Sequence, residues 1–299
     1  MLPTFPTFQA VERTEPATID RLTRGFAPYS EYNATNIWCW YHKYRAASVL
    51  NGNLVLQIQD GETGGRFLSF LGRDAVGETA ETLLAAAGRL GCDRELRLVP
   101  EEVVRDGLPP RLVAREDQDA DYLLATEEWA ALRGGGFANA REEINRFRRH
   151  HDAEFGPIEL GDAAVRHAAL DLFERWATQK GVAGQPATVD ERHAIERLFE
   201  LGPSAGVAAF GLQHGGALIG FLIYEPRPCA YAVAHFWKAD RSYRGIYPTL
   251  LHRVCAELAA AKVKTLNFGQ DLGMPGLAAA KRSYRPRGFL RKYAIAARG

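Results

Sequence analysis

The sequence predicts an α/β (α+β) chain of two tandem domains, each a mixed, mostly antiparallel sheet flanked by helices. Three observations carry this. Short apolar runs with period-two alternation recur in two groups, one in each half of the chain. Each group is followed by an apolar stripe of period 3.6 and then by another short apolar run. The 299 residues, 46% hydrophobic and 24% charged, suffice for two ordinary domains and are too apolar for a disordered chain.

In the first half, residues 46–50 and 54–59 flank Asn51-Gly52-Asn53, a hairpin signal, and 66–71 is a third strand. Ala80, Leu83, Leu84, Ala87 and Leu90 share one face of a helix over 78–90, Gly91 stops it, and 95–99 is a further strand. The polar run 114–119 marks the join, which gives domains of 1–118 and 119–299. The second half opens with two helices, marked by Val165, Ala169, Leu172, Phe173 and Trp176, then by Ile195, Leu198 and Phe199. Strands 207–212 and 217–224 flank His214-Gly215-Gly216, and 231–237 is an alternating third strand. Ile246, Leu250, Leu251, Val254 and Leu258 mark a helix over 246–261, followed by strand 263–268 and a last strand near 289–295. Helix, helix, three antiparallel strands, helix, strand is the element order of the GNAT acyltransferase fold. The first half reads as a shorter, degenerate copy.

Lys plus Arg number 37 and Asp plus Glu 36, so the net charge of +1 argues against a globally basic nucleic-acid binder. No apolar run reaches the length of a membrane span, and the opening residues lack the charge and apolar pattern of a signal peptide. Cys39, Cys92, Cys229 and Cys255 are far apart, as expected of reduced thiols in a cytoplasmic protein. No zinc-type Cys/His spacing occurs, so no metal is expected.

Gly202-Pro203-Ser204-Ala205-Gly206 has the Gly-x-Ser-x-Gly pattern, but a helix precedes it and a strand follows, the reverse of a nucleophile elbow. A serine hydrolase is therefore excluded. Asp240-Arg241-Ser242-Tyr243-Arg244-Gly245 precedes the main helix of the second half, where GNAT enzymes bind the pyrophosphate of coenzyme A on backbone amides. Arg244 and Gly245 fit the start of such a loop, whereas Tyr247 and Pro248 crowd it. The tail from residue 281 carries seven Lys and Arg and no acid, with Tyr284, Phe289 and Tyr293 interleaved. It suits a phosphate-bearing or nucleic-acid partner or, equally, a charged edge strand that resists aggregation.

Asn267-Phe268-Gly269-Gln270-Asp271-Leu272-Gly273-Met274-Pro275-Gly276-Leu277, then Lys281-Arg282-Ser283-Tyr284-Arg285-Pro286, resembles the end of the phosphatidylglycerol lysyltransferase C-terminal domain family. Ser242 to Tyr247, Asp121 to Leu124, and Ser30-Glu31-Tyr32-Asn33 resemble its other segments. The resemblance implies two tandem GNAT-like domains and transfer of an aminoacyl group from aminoacyl-tRNA to a lipid head group. This chain has no membrane helices ahead of the matching segment, so a small-molecule acceptor is an equal expectation, with peripheral membrane contact.

An aminoacyl ester needs no covalent enzyme intermediate: a hydroxyl or amine attacks the carbonyl directly. Strand 231–238 is expected to offer backbone N–H groups to the oxyanion. Asp271 is expected as general base or partner of the donor's α-ammonium group, with an N-cap role as the structural alternative. Lys281 is expected to neutralise negative charge and Tyr284 to protonate the leaving ribose hydroxyl. Tyr243, Arg244, Gly245, Tyr247, Asn267, Gln270, Arg285 and Arg291 are the expected donor-binding residues. No cofactor is expected on this reading. The alternatives are a GNAT N-acyltransferase with a coenzyme A thioester as donor, and a non-catalytic RNA- or partner-binding module.

Overall fold

The computed structural model describes the chain except for residues 12, 13, 15, 61, 62, 106, 118, 203–205 and 299, and the side chain at 44. Ser204, and with it the core of the Gly-x-Ser-x-Gly segment, lies outside the described residues. The strands are β1 (Gln9–Ala10), β2 (Tyr44–Leu50), β3 (Asn53–Gln59), β4 (Arg66–Leu71), β5 (Leu96–Pro100), β6 (Leu112–Glu116), β7 (Asp121–Ala125), β8 (Glu154–Pro157), β9 (Ala208–His214), β10 (Ala217–Arg227), β11 (Tyr231–Ala239), β12 (Thr265–Asn267), β13 (Gly288–Leu290) and β14 (Lys292–Ala297). The helices are α1 (Pro16–Thr23), α2 (Ala34–Cys39), α3 (Val76–Ala87), α4 (Glu101–Val104), α5 (Thr126–Ala131), α6 (Ala138–His150), α7 (Ala163–Lys180), α8 (Pro186–Leu201), α9 (Ile246–Ala260) and α10 (Pro275–Ser283).

The chain forms two compact units, 1–122 with 269–299, and 123–268. Each carries the expected mixed, mostly antiparallel sheet flanked by helices. In the first, β2, β3 and β4 form an antiparallel meander, α3 crosses over, and β5 returns parallel to β4 through the pair Leu68↔Leu96. The turn between β2 and β3 holds Asn51 and Gly52 at φ 51° and 81°, the left-handed pair that matches strand twist in a two-residue hairpin. Gly91, at φ 65°, closes the turn that ends the α3 region. In the second unit, β9, β10 and β11 form the meander, α9 crosses over, and β12 returns parallel to β11. Ile246, Leu250, Leu251, Val254 and Leu258 of α9 are all buried, so the predicted stripe is the packed face.

The expected division at 118/119 departs from this in one respect. The tail divides between the sheets: β13 is the edge strand of the second, beside β7, while β14 lies between β5 and β6 of the first, antiparallel to both. In the second unit, β7 takes the corresponding place beside β12, pairing Ala125, Leu124 and Leu123 with Thr265, Leu266 and Asn267. The single strand expected near 289–295 is broken at Arg291 into β13 and β14. A buried ion cluster, described below, fixes β14 in the first unit.

Candidate functional site

The second unit positions the predicted loop and the strand beside it. Pairing of β11 with β12 ends at Val233↔Asn267, while β11 runs on to Ala239, so its β12-facing side from Ala234 onward lies outside that ladder. Between Ile223↔Phe236 and Tyr224↔Ala234 the register skips His235, a bulge that re-aims the strand. The His235 ring is buried, with Nε2 3.0 Å from Glu225 Oε2, and Arg227 donates to Glu225 Oε1 at 2.7 Å. A splayed, bulged strand is where main-chain N–H groups become available to a developing oxyanion.

The predicted loop is tightly packed. Gly245, the residue before α9, sits at φ 84°, and a Cβ there would lie 2.3 Å from the Glu143 carbonyl oxygen of α6. Close packing of α6 on α9 is thus a sufficient reason for this glycine. Arg244 pairs with Glu143 at 3.1 Å. The Ile246 N–H is taken by the Tyr243 carbonyl at 3.1 Å, and Pro248 has no N–H. Tyr247 donates to the Ala239 carbonyl at 3.4 Å, meets Trp237 edge-on, and burial raises its pKa. Tyr243 meets the rings of His151 and His214 at 4.9 and 5.7 Å, and Asn267 is fully buried at the end of β12. Asp240 turns the loop through its bonds to Ser242 and Gln179; burial opposes its charge, but those bonds outweigh it and hold its pKa low.

The first unit gathers Gln270, Asp271 and Lys281 around Tyr122. Asp271 is only 6% exposed. Tyr122 donates to its Oδ2 at 2.5 Å and the Gly273 N–H to its Oδ1 at 3.0 Å. The residue preceding α10 is Met274, so the alternative role expected for Asp271, capping that helix, is not what the carboxylate does; it closes an Asx turn one step earlier. Burial, then the bond to Asp271, raises the pKa of Tyr122. Lys281, 9% exposed, donates to the Gln270 carbonyl at 2.6 Å, and burial lowers its pKa to about 8. The Tyr284 N–H donates to the Lys281 carbonyl at 3.2 Å, Arg285 is exposed with φ 59°, and Arg291 is held by Glu116 and Glu101.

Sequence reasoning missed the neighbouring cluster. The Lys292 ammonium is completely buried, 2.7 Å from Asp121 and 2.5 Å from Glu31. Burial disfavours its charge, but Asp121 and Glu31 outweigh this and raise its pKa. Burial and Asp121 push the Glu31 carboxyl up. Ser30 completes the set through Oγ and N–H, both 2.7 Å from Asp121. Lys281 and Lys292 are thus interior, not part of a solvated basic tail. The available signal was a lysine opening the apolar run Tyr293 to Ala297.

The model of the phosphatidylglycerol lysyltransferase C-terminal family matches residues 23–296. The chain belongs to that family. Lysyl transfer is an acyl transfer, so membership indicates an acyltransferase of that kind, and the two mixed, mostly antiparallel sheets flanked by helices are the tandem architecture expected from the sequence. A conserved protein of unknown function from Bacteroides thetaiotaomicron VPI-5482 is 25% identical with a TM-score of 0.82, each chain covered over 100% of its length. The C-terminal domain of a protein described as a lysylphosphatidylglycerol synthetase from Agrobacterium fabrum is 14% identical with a TM-score of 0.65, covering 95% of this chain and 93% of that one. L-PGS from Bacillus licheniformis is 12% identical with a TM-score of 0.65, at 95% and 92% coverage. The last two likenesses speak to fold alone. No curated protein matches the chain. No helix among the described residues is long and apolar enough to cross a membrane.

Proposed function

We propose that this acyltransferase moves an aminoacyl group from aminoacyl-tRNA to a hydroxyl or amine acceptor, in the cytoplasm, by direct attack and without a cofactor. Family membership supports an acyltransferase. The observation that favours this donor over coenzyme A is the start of α9. A diphosphate cradle needs several free leading amides. Here one is spent within the loop, Pro248 supplies none, and the Gly245 backbone is pressed against α6.

In this reading the groups of the first unit act on the donor's aminoacyl end. Asp271, whose carboxylate already holds two donors, keeps lone pairs for the donor's α-ammonium group and suits that role better than general base. Lys281 offsets negative charge, and Tyr284 returns a proton to the ribose hydroxyl as the ester breaks. The attacking oxygen or nitrogen forms its bond to the carbonyl carbon, loses its proton, and the ribose oxygen leaves with one.

The protein is to be incubated with labelled aminoacyl-tRNA and, separately, with acetyl-coenzyme A. Accelerated loss of the aminoacyl ester, with no saturable coenzyme A binding, is expected. Tight coenzyme A binding with an unchanged ester lifetime would overturn the reading in favour of the thioester-dependent alternative.

A further inference from the structure

The buried cluster of the first unit leaves one polar atom without a use. Glu31 is 1% exposed, and its two carboxylate oxygens differ. Oε2 takes the Lys292 ammonium at 2.5 Å and lies 3.2 Å from the Ser30 hydroxyl. Oε1 is shielded from solvent and accepts no hydrogen bond from the described residues. A buried carboxylate oxygen without a donor costs stability, so a fold that keeps one points to a donor supplied from outside.

The charges around Glu31 are short of one cation. Glu31, Asp119 and Asp121 interact with two ammonium groups, those of Lys43 and Lys292. The next neighbours do not make up the difference: Asp271 stands against Lys281, Asp60 against Arg97, and Asp117 adds a further acid. Burial and then Asp117 raise the pKa of Asp119, and burial lowers that of Lys43. Ser30, Lys43 and Asp119 are half-buried, so on their side the cluster comes to the surface.

The geometry also limits the kind of cation. No three His, Cys, Asp or Glu side chains among the described residues are grouped to hold a metal ion. A single accepting oxygen suits a point donor, whereas a guanidinium fork asks for two. A primary ammonium group meets both conditions.

We propose that Glu31 Oε1 receives the ammonium group of a small primary amine, and that this amine is the acceptor. Binding stands by itself; the acceptor role rests on the function proposed above. In that role the ammonium passes one proton to Glu31 and attacks as the free amine. A C–N bond forms, the ester C–O bond to the ribose breaks, and the amine's second proton replaces the one that Tyr284 gives to the leaving oxygen. Burial, which raises the pKa of Glu31, makes it the better proton acceptor.

The test is thermal melting of the full chain in propylammonium chloride, in sodium chloride and in propanol at matched concentrations. A saturable rise in Tm with propylammonium alone is expected. Glu31→Gln keeps the shape and loses the charge, and is expected to weaken that binding by at least about tenfold. Asp119→Asn, nearer the surface, is expected to weaken it severalfold, and decides the matter if Glu31→Gln does not fold. No saturable response in wild type, an equal response to sodium or propanol, or unchanged affinity in the folded variants overturns the proposal. Labelled aminoacyl-tRNA, added with either acceptor, then separates the two parts. Transfer to propanol but not to propylamine overturns the acceptor assignment. Saturable amine binding with no transfer at all sustains the site and counts against the transfer reading alone.

Discussion

Tyr122, Lys281 and Lys292 show how the first unit handles charge without water. Lys292 pairs with two buried carboxylates at once, so Lys292→Met removes an ion pair from both Asp121 and Glu31. A loss of about 3–5 kcal/mol in denaturant unfolding is expected. Tyr122→Phe removes one of two donors to a buried carboxylate, for an expected loss of about 1–3 kcal/mol in the same measurement. Lys281 carries a depressed pKa of about 8 against 10.5 for a free lysine. Between those values the unfolded chain binds more protons than the folded one, so this residue's contribution to stability rises with pH across that window and is lost as pH falls through about 8. Wild type is therefore expected to gain stability relative to Lys281→Met between about pH 8 and 10.5. A constant difference across that range would show that the side chain is not buried as described. Asp271 and Lys281 were found in the sequence through the tail motif; Tyr122, Asp121 and Glu31 lie in segments that carry the family resemblance, but their roles were not legible, because these come from partners 91 to 261 positions away.

At the scale of elements, both meanders, both crossover helices and the parallel returns were legible, because period-two and period-3.6 patterns report burial directly. Helices α1, α2 and α4 and strands β1, β6 and β8 were not: they span only two to eight residues and their stripes are too short to read. Gly245 is instructive. In the sequence it looked like part of a phosphate loop, whereas its neighbour in space is the Glu143 carbonyl of α6. Gly245→Ala is expected to cost about 2–3 kcal/mol, since it adds both a left-handed penalty and an overlap with backbone. If the variant melts like wild type, the close approach of α6 to α9 is wrong.

For the whole molecule, the decisive feature is where the chain ends. Local pattern predicted a last strand but not its partner, because strand pairing across nearly 200 residues leaves no trace in periodicity. With β14 between β5 and β6, the tail that carries Asp271 and Lys281 is also a structural part of the first unit. Truncation after Phe268 is expected to strip hydrogen-exchange protection from β2 to β6 while β9 to β12 keep theirs. The two roles of the tail, sheet member and bearer of the proposed donor-binding groups, explain why its charges divide between interior and surface. The central claim is chemical: an activated aminoacyl ester is consumed without ever being bonded to the protein. It is tested most directly by mixing the protein with aminoacyl-tRNA labelled in the amino acid, quenching within one turnover, and following the label. Label passing from tRNA to an added hydroxyl or amine acceptor, with none on the denatured protein, is the predicted result; label that stays on tRNA at its spontaneous rate of loss, or that appears on the protein, contradicts it.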